Sequence, residues 1–114
     1  MLEVGERPWG KYYVLEDEPQ FKLKKIVVEP MQRLSYQYHH HRQEFWTIVE
    51  GEAVVILDGK ENVLKYGASI FIPQGAHHRI ENRTDKKVVF VEVQTGTYFG
   101  EDDIIRLEDD YSRG

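Results

Sequence analysis

The chain of 114 residues contains no cysteine. Disulfides, thiolate nucleophiles and cysteine-based zinc sites are therefore excluded, and a cytoplasmic location is the expectation. No apolar run approaches the roughly 20 residues needed to cross a bilayer, and the start, MLEVGERPWG, lacks the form of a secretory signal. An excess of positive charge is missing too: 15 Lys and Arg stand against 20 Asp and Glu, giving a net charge of -5. Nucleic-acid and anionic-membrane partners need a concentrated positive field, so neither is expected. Repeats and low-complexity tracts are absent as well. The length suits one domain, residues 1–114, with a single core. At 40% hydrophobic and 31% charged residues the composition is globular.

What the sequence does hold is unevenly placed. All five histidines fall in two patches, His39-His40-His41 and His77-His78. Scattered core or surface histidines would not group in this way, so the patches point to a metal. The segment from Gly100 to Tyr111, GEDDIIRLEDDY, carries six acids and one base, Arg106. It therefore accounts for the whole negative excess. Its Ile104, Ile105 and Leu107 would let a short helix dock on the domain.

Up to residue 100 the pattern is one of short strands. Segments 11–16, 21–29, 34–41, 45–49, 53–57, 61–64, 69–72, 78–82 and 87–94 are rich in β-branched and aromatic residues and bounded by turn residues. Asp58-Gly59 is a hairpin turn, because both residues tolerate the positive φ it demands. Strands at this spacing, without a long amphipathic helix, predict an all-β sandwich or barrel. AVVIL and VVFVEV are apolar on both faces, as expected of strands covered on both sides by a second sheet or a partner subunit.

Alternation along a strand puts Gln37, His39 and His41 on one face and Tyr38 and His40 on the other. Glu44 follows a short turn and can swing back toward His39, while His78 opens a strand after Pro73-Gln74-Gly75. Imidazole, carboxylate and amide oxygen make a ligand set suited to one divalent Zn, Mn, Fe, Co or Ni ion. Trp46 shares parity with Glu44 and is expected to wall the pocket. Lys22, Lys24 and Lys25 read as a solvated basic edge, and Arg79, on the opposite strand face from His78, as structural.

These residues resemble a known family. Gly67-x5-Pro73-x-Gly75-x2-His78-x3-Asn82 is similar to the second motif of the cupin superfamily. Met31-x5-Gln37-x-His39-x4-Glu44-x6-Gly51 follows the first in spacing, with Met31 in place of its Gly and Gln37 in place of its first His. The Gln-x-His variant, with Arg7-Pro8-Trp9-Gly10, SYQYHHHRQEFW, QGAHHRIEN and the ending VEVQTGTYFGEDDIIRLEDDY, resembles type II mannose-6-phosphate isomerases over nearly the whole chain. That domain is often the C-terminal part of a bifunctional mannose-1-phosphate guanylyltransferase. No Gly-rich phosphate loop precedes Arg7, so the nucleotidyltransferase part is not expected here.

The resemblance implies a cupin-type double-stranded β-helix, or jelly-roll barrel, with a short helical or extended C-terminal segment. It implies a divalent metal on Gln37, His39, Glu44 and His78, and Arg42, Arg106 and Arg113 as arginines that handle a sugar phosphate. The implied reaction interconverts mannose 6-phosphate and fructose 6-phosphate through an enediol, for which His41, on the ligand face, is the expected proton carrier. A homodimer is also expected. Phe45 stands where the family usually has His, which favours the alternative of a non-catalytic cupin that binds a sugar or sugar nucleotide beside a separate guanylyltransferase.

Overall fold

The computed structural model describes residues 1–110. The chain forms two antiparallel sheets, and alternation within each strand decides what enters the space between them. The strands are β1 (Glu3–Arg7), β2 (Gly10–Asp17), β3 (Phe21–Val28), β4 (Tyr36–His39), β5 (Arg42–Glu50), β6 (Ala53–Leu57), β7 (Lys60–Leu64), β8 (Ser69–Ile72), β9 (His78–Glu81), β10 (Val88–Gly96) and β11 (Ile104–Glu108). The six-stranded sheet runs β1-β2-β3-β10-β5-β8 and the five-stranded sheet β11-β4-β9-β6-β7. This is the double-stranded β-helix that the motifs imply. Asp58 and Gly59 turn β6 into β7 with φ of 48° and 82°. Met31, in place of the motif's Gly, takes the left-handed φ of 64°. Among the described residues, no helix is long and apolar enough to cross a membrane.

Inward-facing residues divide the interior in two. Val14, Ile26, Val28, Ile48, Val55, Ile72, Ile80, Val88 and Phe90 form a dry core. Continuing the same alternation, Phe90 is followed inward by Glu92 and Gln94, Ile48 by Trp46, Glu44 and Arg42, and Ile26 by Lys24. All of these are buried. The rows that are apolar at one end thus become polar at the other, where the site lies.

Of the two forms expected of the C-terminal segment, helical or extended, the extended one is found, so the short helix that Ile104, Ile105 and Leu107 suggested does not form. A single 3-10 turn, Glu101–Asp103, leads into β11, which pairs with β4 in the register Ile104↔His39, Ile105↔Tyr38 and Arg106↔Gln37. The outer strand β4 offered an unpaired edge, and backbone pairing there outweighs helix formation in so short a segment. Asp103 is buried. Its carboxylate accepts the backbone N–H groups of His40 (3.1 Å) and His41 (2.9 Å), fixing the turn between β4 and β5.

Candidate functional site

His39, at the end of β4, Glu44, on β5, and His78, opening β9, converge although the sequence separates them. One donor atom from each lies within 4.8 Å of the others, and all three residues are buried. The Nδ1 of His78 donates to the Ala76 carbonyl at 2.9 Å. Its Nε2 therefore carries the lone pair, and that atom is buried with no hydrogen-bond partner. Burial, reinforced for His39 by the Arg42 charge, lowers the imidazole pKa values to about 3 for His39 and about 4 for His78. Both rings are thus neutral, the form that ligates metals. Trp46 Nε1 donates to Glu44 Oε1 at 2.9 Å and orients the carboxylate, so Trp46 does wall the site. Gln37 is the register partner of His78 across β4 and β9.

A buried, lone-pair-bearing Nε2 with no partner, beside a second neutral imidazole and a carboxylate, fits a divalent cation. Arg42 currently satisfies the other two donors. Its Nε donates to Glu44 Oε2 at 2.8 Å, and a terminal nitrogen lies 3.0 Å from His39 Nε2, which accepts because a guanidinium can only donate. Glu44, Glu92 and Glu101 hold the Arg42 pKa above its ordinary value, against the lowering effect of burial.

Gln37, His39, Arg42, Glu44 and Trp46 line one side of a cavity of about 450 Å³. That volume is within the range of small-molecule sites. Arg7, Trp9, Tyr12, Lys24, Leu34, Glu92, Glu101 and Arg106 also line it. Burial, with the neighbouring Glu44 charge, raises the Glu92 pKa to about 7.

Several residues lie elsewhere than the sequence reading put them. His41 is not in this cavity. The strand ends at His39, and the His40-His41 turn breaks the alternation, leaving the His41 side chain 56% exposed, 4.0 Å from Asp103. It lines a separate outer depression with His40 and Tyr98. Lys24 is no solvated edge residue, because β3 lies between β2 and β10 and points Lys24 inward with Ile26 and Val28. Arg106 reaches the cavity as expected, though from a strand. Phe45 faces outward, against Phe71 at 4.8 Å. Arg79 is structural, donating to the Leu34 carbonyl and Glu108. Arg113 lies outside the described residues. Lys24, Glu92 and Gln94 were missed, although their parity with Ile26 and Phe90 was a usable signal.

The sheet pairing and the buried donor trio are those of a cupin. A sugar phosphate isomerase from a cupin superfamily of Silicibacter pomeroyi superposes with a TM-score of 0.71 at 24% identity, covering 88% of this chain and 76% of that one. An RmlC-like cupin from Shewanella frigidimarina gives 0.74 at 24%, covering 88% and 86%. The family described as mannose-6-phosphate isomerase C-terminal matches residues 3–109, and this chain belongs to it. The chain is 44% identical over 107 residues to a mannose-1-phosphate guanylyltransferase of Klebsiella pneumoniae, covering 94% of this chain and 23% of that protein. It is 46% identical to the alginate biosynthesis protein AlgA of Pseudomonas aeruginosa, covering 94% and 22%. The chain thus spans less than a quarter of the length of these relatives.

Proposed function

We propose that this domain is a metal-dependent aldose–ketose isomerase acting on mannose 6-phosphate and fructose 6-phosphate. The observation that carries this reading is the buried His39–Glu44–His78 trio, of which His39 and Glu44 line the same cavity as Lys24, Arg42 and Arg106. Donors for a metal and cations for a phosphate occur in one chamber. Gln37 would complete the ligand set. A bound divalent ion supplies Lewis acidity toward the sugar's O1 and O2, where negative charge develops.

The chain's own groups do the rest. Isomerisation moves a proton between C2 and C1, so the carrier has to face the cavity, and His41 does not. Besides Glu44, the carboxylates lining it among the described residues are Glu92 and Glu101; Glu101 is ion-paired with Lys24, so proton transfer is assigned to Glu92. Trp9, Tyr12 and Trp46 exclude water along the apolar wall. The non-catalytic alternative loses the support of Phe45, since a side chain at that position points away from the chamber. The test is NMR of metal-loaded protein with mannose 6-phosphate. Appearance of fructose 6-phosphate, abolished by a chelator, is expected, and no conversion with any of Zn, Mn, Fe, Co or Ni overturns the proposal.

The homodimer implied by the resemblance is proposed for this chain too. Phe45, Val49 and Phe71 are exposed hydrophobics on β5 and β8 that a second copy would cover. Light scattering at micromolar concentration checks it, and a monomer overturns it.

A further inference from the structure

A lysine side chain sealed inside a cavity is costly unless an anion accompanies it, and Lys24 is 4% exposed. Its Nζ lies 4.7 Å from the centroid of the Tyr12 ring and 3.4 Å from Glu101 Oε1. Glu101 is a half-exposed residue of the 3-10 turn, tethered at the cavity from outside either sheet. The carboxylate of Glu101 demonstrates that an anion fits against Lys24.

The position of Lys24 follows from register. In the six-stranded sheet, Lys24 pairs with Glu92, which pairs with Trp46, the residue that holds Glu44. In the five-stranded sheet, Arg106 pairs with Gln37, which pairs with His78. Lys24 thus stands two strands from β5, which carries Glu44, while Arg106 stands one strand from Gln37 and two from His78, and both Lys24 and Arg106 line the cavity. Two strand spacings are about 10 Å. That separation, less the reach of the side chains, suits the distance from C1 and C2 to the phosphate of an open-chain hexose 6-phosphate. Arg7 extends the same positive corner. Its guanidinium lies 5.0 Å from the Tyr12 ring centroid and donates to the Tyr12 hydroxyl at 3.3 Å.

We propose that Lys24 is a specificity-determining residue that, opposite Arg106, grips the substrate's phosphate and displaces Glu101 in doing so. This rests on the isomerase reading. A compact ammonium gives a strong point charge to one phosphate oxygen, while the Arg106 fork can take two others. The Glu101 carboxylate acts as a placeholder that keeps the lysine satisfied when the chamber holds no substrate.

The test is a pair of NMR titrations, with mannose 6-phosphate and with mannose, on wild type, Lys24→Met, Lys24→Arg and Glu101→Gln. Lys24→Met is expected to weaken mannose 6-phosphate roughly 10–100-fold, the worth of a hydrogen bond to a charged group, and to leave mannose unchanged. Lys24→Arg should restore most of the loss. Glu101→Gln, which removes the competing anion, should tighten mannose 6-phosphate alone, and it serves if Lys24→Met does not fold. Equal loss for both sugars in Lys24→Met, or no tightening in Glu101→Gln, overturns the assignment of Lys24 while leaving the isomerase reading intact. Wild-type protein that takes up no mannose 6-phosphate overturns both.

Discussion

The two ends of the cavity are built on different terms. At the donor end, on β4, β5 and β9, three buried groups meet within one short radius, and two are neutral imidazoles. At the cation end, on β1, β3 and β11, Lys24, Arg7 and Arg106 are spread over both sheets, and a tethered Glu101 accompanies one of them. The donor end is organised by mutual contact, as coordination of a single ion requires. The cation end is spaced to receive something larger. A site for a phosphorylated sugar needs both, and strand register places Lys24 and Arg106 relative to the donors.

The largest effect is expected at the donor end. Replacing His78 with Ala removes the ligand whose Nε2 has no other partner, and metal affinity should fall by more than the roughly 10–100-fold that losing a mere supporting partner costs. Isomerase turnover should fall with it, as read by metal content and by the NMR assay. Arg106→Ala acts at the other end. It should weaken mannose 6-phosphate by about 1.5–3 kcal/mol, leave mannose unaffected, and leave metal content unchanged. A loss of metal in Arg106→Ala would mean that the two ends are not separable.

pH separates the ends by stability. With metal removed by a chelator, His39 and His78 have folded pKa values of about 3 and 4 against an ordinary 6.5. The unfolded chain therefore binds more protons below pH 6.5, and stability falls as pH drops from there toward about 4. Glu92 has the opposite sign. Its folded pKa of about 7 exceeds the ordinary 4.5, so its contribution falls as pH rises through that window. Glu92→Gln should remove the opposing slope and steepen the loss on acidification. Denaturant melts across this range check the prediction, and an unchanged slope contradicts it.

The donor end was legible because its residues sit in spaced motifs whose chemistry is unusual for a core. The strand pattern and the Asp58-Gly59 turn were legible from alternation and turn chemistry. The cation end was legible only in part. Lys24 sits between Leu23 and Lys25, and three lysines in four residues look like a wet edge until β3 is placed between two neighbours. Arg106 was anticipated to point inward, but the strand that aims it depends on the free edge of β4, which only tertiary pairing reveals. His41 was misplaced for a local reason: the backbone of the turn is pinned by Asp103, far along the chain, and the alternation stops one residue after His39.

The smallest effects are expected outside the cavity. His41→Ala and Phe45→His alter side chains that face away from both ends, so turnover should stay near wild type; stability should shift by about 0.5 kcal/mol or less in His41→Ala, while Phe45→His should weaken only the proposed dimer face. A collapse of turnover in His41→Ala, with metal content intact, would restore that histidine as the proton carrier.

The donor trio is tested most directly by elemental analysis of purified wild type, His39→Ala and His78→Ala after equilibration with one divalent metal. The account predicts one ion per wild-type chain and a clear loss in both variants. Full metal content in both variants would contradict it.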